Sequence, residues 1–389
     1  MAPNLRYSAA KSSTIGRRSA SLSPTKQRTL RNILPTQTKY LQNLKKAPKS
    51  SSNEDALTVQ DYNVQLDYQL SAKNDIMVAI DTVLENQWAE STTLHHRFHT
   101  KDEIDASDSD EQLLFLLPGL SMEVKADILK YRKSHLPIGL LTLNQLYSIY
   151  DKQGPTYVDR NLELRLREGK VRKFVITNAA PVVLRTQNKY QGKVTYGHEN
   201  VEVIVKSEQY YELIEREVEA IDSEAEKCNS KQESERLKLQ STTLKKYLHF
   251  LKGNPSALYI HSDDFASAEL STLVSLGYVT LTSNHLNEIE SHQYSVAYPN
   301  CGTFLKLINS GRAWLVKTLN KSKHKELLEE NLFQKWEGYS ANGTPKMTNF
   351  RKPFYGYDLF WILADALGAG VVEVFNTPVG RGWKLTGKV

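Results

Sequence analysis

Six basic residues, Lys306, Arg312, Lys317, Lys321, Lys323 and Lys325, fall within twenty positions, and no Asp or Glu intervenes before Glu326. Ammonium and guanidinium groups gathered in this way suit one kind of chemistry, the neutralisation of phosphates. On a helix, Lys317, Lys321 and Lys325 stand four apart and line one face, with Lys323 off that row. Leu315, Leu319 and Leu328 then occupy another face, toward a core. A one-sided row of cations suits tracking of a nucleic-acid backbone, because phosphates are met without demanding base identity. The competing reading of the same run is a solvated helix surface.

A second basic concentration comprises Arg160, Arg165, Arg167, Lys170, Arg172 and Lys173, diluted by Glu163 and Glu168. It reads either as a helix entering a major groove or as charges that balance their own glutamates. Arg160, Arg172 and Lys173 are accessory DNA-binding candidates, together with Arg351 and Lys352 in a loop before the last helix.

Catalytic chemistry finds little support. A protein kinase needs a glycine-rich loop over the phosphates, a strand lysine, a catalytic aspartate and a metal-binding aspartate. The chain has no GxGxxG and no His-Arg-Asp. Its nearest approach to Asp-Phe-Gly is Asp264-Phe265-Ala266, read as a helix start with Asp263 or Asp264 capping and Phe265 buried. His95, His96 and His99 form a small cluster, with Asp102 nearby, but a polar surface segment explains them better than a metal site. No cofactor and no metal is expected, and the chain reads as a non-enzyme. Trp314, Trp336, Trp361 and Trp383 sit among apolar neighbours and are expected in cores.

Charge and composition organise the rest. The net charge of +6 is a property of one end: residues 1–50 hold eleven Lys or Arg and no acid, which leaves the remainder at −5. Residues 1–60, which contain this Ser-, Thr- and Lys/Arg-rich stretch, read as a disordered basic arm. Arg17-Arg18 followed by Lys26, Arg28 and Arg31 has the form of a two-part nuclear import signal, although an Arg- and Ser-rich, acid-free start also suits a mitochondrial transit peptide. Two cysteines are too few for a disulfide framework, and no apolar run reaches the roughly 20 residues a membrane span requires.

Beyond the arm, residues 61–112 read as a helical segment and an acidic linker, with folded structure starting near Leu113. Three later segments then repeat one pattern: an amphipathic helix, a glycine stop, and two β runs flanking a polar gap. The helices are Tyr157–Glu168, Phe265–Leu276 and Tyr357–Leu367, with stops at Gly169, Gly277 and Gly368/Gly370. This pattern closes a winged-helix module. The expected fold is therefore α+β and mostly helical, with three tandem winged-helix domains at 113–222, 223–308 and 309–389. A charged helical stretch, Ser207–Lys252, is expected between the first two as one long helix or a pair broken near Asn229-Ser230.

The segment Ala297–Phe333, AYPNCGTFLKLINSGRAWLVKTLNKSKHKELLEENLF, closely resembles the serine/threonine-protein kinase 19 family. There a basic helix, a Gly-Arg step and a second basic helix ending in Glu-Leu-Leu follow a small-residue turn. TYVDRNLELRLREGKV at Thr156–Val171 is a second match, and Gly370–Thr386 a looser one. The resemblance covers about residues 113–389 and implies three winged helices that bind double-stranded DNA. It also implies a nuclear role in transcription-coupled nucleotide-excision repair, with RNA polymerase II and excision-repair factors as partners. On it, Lys306, Arg312, Lys321, Lys323 and Lys325 align with basic positions of the family's DNA-contacting segment. Asn320 stands where family members can carry Arg, and Lys317 is an added charge. The alternative is a winged-helix protein–protein adaptor whose basic segment meets an acidic partner, since fold alone does not choose.

Overall fold

The computed structural model describes residues 68, 70, 75–95, 97–98, 110–176, 183–184, 194–195, 201–228, 230–281, 293–339 and 346–387. The chain divides into two units, Met1–Thr58 and Val59–Val389, and every described residue lies in the second. The basic arm and acidic residues 102–109 lie outside the described residues.

Eleven helices and small antiparallel sheets make up the described chain. Helices α1 (Ile76–Glu85), α2 (Asp110–Leu116) and α3 (Met122–His135) come first, followed by β1 (Leu141–Thr142), α4 (Leu143–Ile149) and α5 (Pro155–Arg167). Strands β2 (Val171–Ile176), β3 (Val183–Leu184), β4 (Val194–Thr195) and β5 (Val201–Lys206) lead into α6 (Ser207–Lys227) and α7 (Lys231–Gly253). Then come β6 (Tyr259–His261), α8 (Ser267–Leu276), β7 (Val279–Leu281) and β8 (Gln293–Val296). The last third holds α9 (Cys301–Asn320), β9 (Glu326–Leu328), α10 (Glu329–Glu337), α11 (Leu359–Gly368), β10 (Val372–Thr377) and β11 (Gly380–Leu385).

Three sheets share one topology. Their strand orders are β1-β5-β2, β6-β8-β7 and β10-β11-β9, so the last strand of each set is always central. A helix precedes each short first strand, and at least one helix separates that strand from the hairpin. At the glycine stops the chain leaves its helices through positive φ: 71° at Gly169, 81° at Gly277 and 68° at Gly370. A β-carbon disfavours that conformation, which is why glycine marks these exits.

Several sequence expectations are corrected here. The folded region begins well before Leu113, because Ile76, Ala79, Ile80 and Val83 of α1 are buried in the main core. The expected boundaries after 222 and after 308 fall inside α6 and α9. The physical reason is that one hydrophobic cluster runs from Tyr68 to Leu385. The charged stretch Ser207–Lys252, by contrast, takes one of its two expected forms, a pair of helices, broken between Lys227 and Lys231.

Helices α6 and α7 are tied to the chain beside strands β7 and β8 through buried tyrosines. Tyr210 donates to Ala297 O at 2.8 Å and lies 3.2 Å from the Tyr247 hydroxyl, which donates to Tyr278 O at 3.0 Å. Burial pushes both phenols well above their usual range, so they remain neutral donors at any physiological pH.

At the centre of the core stands α11, LFWILADALG, apolar nearly all round and buried from Leu359 to Ala366. A helix of this composition belongs inside a protein. It packs on α4 so closely that a β-carbon at Gly368 would fall 1.8 Å from Asn144 O and 2.6 Å from its carbonyl carbon. Gly368→Ala is expected to destabilise the protein by about 1–3 kcal/mol through overpacking, against the roughly 1 kcal/mol that Ala would add to an isolated helix. Urea denaturation followed by tryptophan fluorescence measures this; a stabilised variant would refute the close contact.

Candidate nucleic-acid interface

Helix α9 carries the first of the cationic residues. Phe304, Ile308, Leu315, Val316 and Leu319 are fully buried on its inner face, while Lys306 and Lys317 are exposed. The helix ends at Asn320, with Lys321 as its C-cap in helical geometry (φ −74°, ψ −19°). Lys317 and Lys321 therefore share one face, as the four-residue spacing requires.

Beyond Lys321 the expected helical row does not continue. Ser322 N–H donates to Leu319 O at 3.0 Å and Lys325 N–H to Ser322 O at 3.1 Å, so the chain closes a tight turn. Lys325 lies in the left-handed region at φ 57°. Its carbonyl accepts from Leu385 N–H at 3.1 Å, which anchors the turn to β11. The Glu-Leu-Leu that the resemblance places at a helix end is instead strand β9, paired with Gly382–Lys384. Edge pairing to β11 outcompetes helix continuation here, and Lys323 and Lys325 project from a turn.

Lys317, Lys321, Lys323 and Lys325 are all exposed, and among the described residues none of them forms an ion pair. They present positive charge at the turn that leads into β9. Lys306 is exposed too, three turns earlier on α9.

Arg312 is a different case. It faces inward with no solvent exposure, and its Nε donates to Asp365 Oδ2 of α11 at 2.5 Å. Thr142 Oγ1 donates to the other carboxylate oxygen at 2.6 Å. The expectation that Arg312 contacts DNA is overturned by this burial: its charge is used inside the core.

The basic residues around α5 separate in the same way. Arg172 is buried, and its Nη2 donates to Leu251 O at 2.5 Å and Asn254 O at 3.0 Å. It caps the C-terminal end of α7, where the helix dipole favours a cation, and it is not a surface contact. Lys173 pairs with Glu202 at 2.6 Å, Lys170 with Glu168 at 3.0 Å and Arg167 with Glu163 at 2.9 Å. Arg165 bridges Asp75 and Glu168, and this arginine with Lys170 holds the Glu168 carboxyl below its ordinary range. Self-neutralisation by glutamates thus describes this region. Arg160 on α5 is exposed, as are Arg351 and Lys352 after the 3-10 turn at Thr348–Phe350.

The Asp264-Phe265-Ala266 segment behaves as a local structural element. Phe265 is buried, and Asp264 Oδ2 accepts from His261 N–H at 3.1 Å. Asp264 closes that turn; the N-terminus of α8 is secured by Glu269, which accepts from Ala266 N–H at 2.8 Å. His95 Nε2 lies 2.5 Å from Asp358 Oδ2, whose other oxygen caps α11 by accepting from Phe360 N–H at 2.7 Å. His96 and His99 lie outside the described residues. Among the described residues no group of three or more His, Cys, Asp or Glu is placed to hold a metal ion, and no helix is long and apolar enough to cross a membrane.

The architecture is that of a mostly helical α+β protein with small three-stranded antiparallel sheets and a cationic turn at its surface. The chain belongs to the family described as inactive serine-threonine protein kinase 19, whose model matches residues 111–385. That description accords with a non-enzymatic protein. A Schizosaccharomyces pombe protein described as serine/threonine-protein kinase mug51 is 28% identical over 148 residues. The match covers 38% of this chain and 44% of that protein, less than half of its length.

Proposed function

We propose that this protein is a non-enzymatic scaffold that binds double-stranded DNA along its phosphate backbone. The observation that carries the reading is the exposed set Lys317, Lys321, Lys323 and Lys325, which has no acidic partner among the described residues. Charges already paired contribute little to an incoming phosphate, whereas uncompensated ones release counterions on binding. Lys306, Arg160, Arg351 and Lys352 are accessory contacts in this reading. The recurring order of helix, short strand, helix and hairpin, with the final strand central, supports three winged-helix modules. The third module is a variant, because its last helix, α11, is buried and has no face to offer a groove. Its contribution to binding falls to the turn before β9. A nuclear site of action, transcription-coupled nucleotide-excision repair, and RNA polymerase II and excision-repair factors as partners complete the proposal.

The test measures a fluorescent duplex binding to the full chain across a salt series. With four phosphates neutralised, affinity is expected to fall by roughly 10² between about 50 and 200 mM salt. Lys321→Glu/Lys323→Glu/Lys325→Glu is expected to weaken binding at least about tenfold and to reduce the logarithmic salt slope by about three. The basic arm is common to both proteins, so its background cancels. Equal affinity and equal slope would remove the cationic turn from the interface, and the protein–protein adaptor reading would replace this one.

A further inference from the structure

Three aromatic rings form a parallel stack at the end of α3. Tyr131 and His135, one helical turn apart, stack with centroids 4.9 Å apart and planes 6° from parallel. Tyr355 stacks on Tyr131 at 3.8 Å and 12°. His135 is exposed, so the column presents an imidazole to solvent.

The other two rings are held firmly. Arg132 Nε donates to Tyr355 O at 2.9 Å, and Tyr355 N–H donates to Arg351 O at 3.1 Å. Tyr355 is kept at φ 48°, in the left-handed region that a ring-bearing residue seldom adopts. Backbone of this kind persists only where its surroundings over-determine it, and such positions cluster at binding sites. The same turn carries Arg351 and Lys352, four and three residues before Tyr355, both exposed and without an ion pair among the described residues. On α3, Lys130 is exposed, Lys133 pairs with Glu111 at 2.6 Å, and Asp127 is the acid one turn before Tyr131.

A rigid aromatic face beside uncompensated cations matches an unpaired nucleobase and its flanking phosphates, because every base has a π-face and stacking does not require sequence. We propose that the Tyr355–Tyr131–His135 stack, with Arg351 and Lys352, binds an unpaired base on a DNA strand leaving a duplex. The inference rests on the DNA-binding reading above and extends it from duplex to the junction between duplex and single strand.

The test uses the full chain and three fluorescent ligands: a blunt duplex, the same duplex with a short single-stranded extension, and that extension made abasic. The two extended ligands carry equal phosphate charge, so their difference isolates the bases. The base-bearing extension is expected to bind about tenfold tighter than the abasic one, within the range for one base stacked on an aromatic ring. Tyr131→Leu/His135→Ala is expected to abolish that difference and leave blunt-duplex affinity unchanged. His135→Trp, a surface change with little bearing on folding, is expected to enlarge it. Equal binding of the two extended ligands by the natural protein overturns the proposal, as does a difference that neither variant moves. Failure of the duplex reading would show separately, as no binding to the blunt form. The comparison repeated on free base-bearing and abasic single strands still reads the stack in that event.

Discussion

Arg312→Ala is expected to destabilise the protein by about 3–5 kcal/mol, the cost of leaving a buried carboxylate without its partner. Asp365 has no solvent exposure and holds one hydrogen bond from Thr142 and one from Arg312. Without the guanidinium, its second oxygen is left buried without the partner it has in the natural protein. The pair itself adds less than this figure suggests, because desolvating two charges offsets much of their attraction. Arg312 Nη1 and Nη2 find no hydrogen-bond partner among the described residues, so the guanidinium is only partly satisfied. Arg312→Met/Asp365→Leu is accordingly expected to recover most of the loss. Chemical denaturation of the single and double variants measures both effects. Duplex affinity of the folded single variant, read well below its melting temperature, is expected to match the natural protein. A selective affinity loss with stability intact would return Arg312 to the interface.

The same residue marks where the sequence was readable and where it was not. Among six cations in twenty positions, spacing alone cannot separate those facing out from one facing in. The missing signal was on another helix: LFWILADALG is apolar on every side except at Asp365, and a carboxylate in such a helix requires a buried partner. The four-residue period of Lys317, Lys321 and Lys325 predicts a continuous helical row. What ends the helix is a long-range event, the pairing of Glu326–Leu328 with β11 some sixty residues later, and no local periodicity encodes it. By contrast, the three glycine stops and the strands after them are local events, governed by backbone sterics at one position, and these were legible. The role of α1 was hidden for a related reason: Ile80 and Val83 have helical spacing, but the core they fill is built from residues up to 300 positions away.

The tyrosine stack illustrates a third kind of illegibility. Tyr131 and His135 meet by helical spacing, which a sequence reading can anticipate. Tyr355 joins them only through the fixed turn at 351–355, and the residue that fixes it, Arg132, lies beside Tyr131 in the chain. Arg132 is therefore both a core residue and a support for the surface column.

Arg132→Met is expected to cost about 3–5 kcal/mol at neutral pH, and the cost is expected to shrink as the solution is acidified. Arg132 holds Glu90 through Nη1 and Nη2 and its guanidinium lies 3.7 Å above the Trp88 ring. Glu90 is buried, and burial pushes its carboxyl up, while Arg132 pulls it back down. Removing the arginine takes away the main influence that opposes burial, so the folded-state carboxyl titrates still further above its unfolded value of about 4.3. A carboxyl raised in this way contributes stability that is complete below the unfolded value and is lost as pH rises through the folded value. The variant therefore regains stability from neutral pH downward, relative to the natural protein at each pH. Glu90→Gln/Arg132→Met removes the ionisation and is expected to erase this pH dependence. Urea midpoints of the three proteins from about pH 5 to 8 decide the matter: a penalty independent of pH would show that Glu90 stays ionised without Arg132, and that its burial is less complete than its surroundings imply.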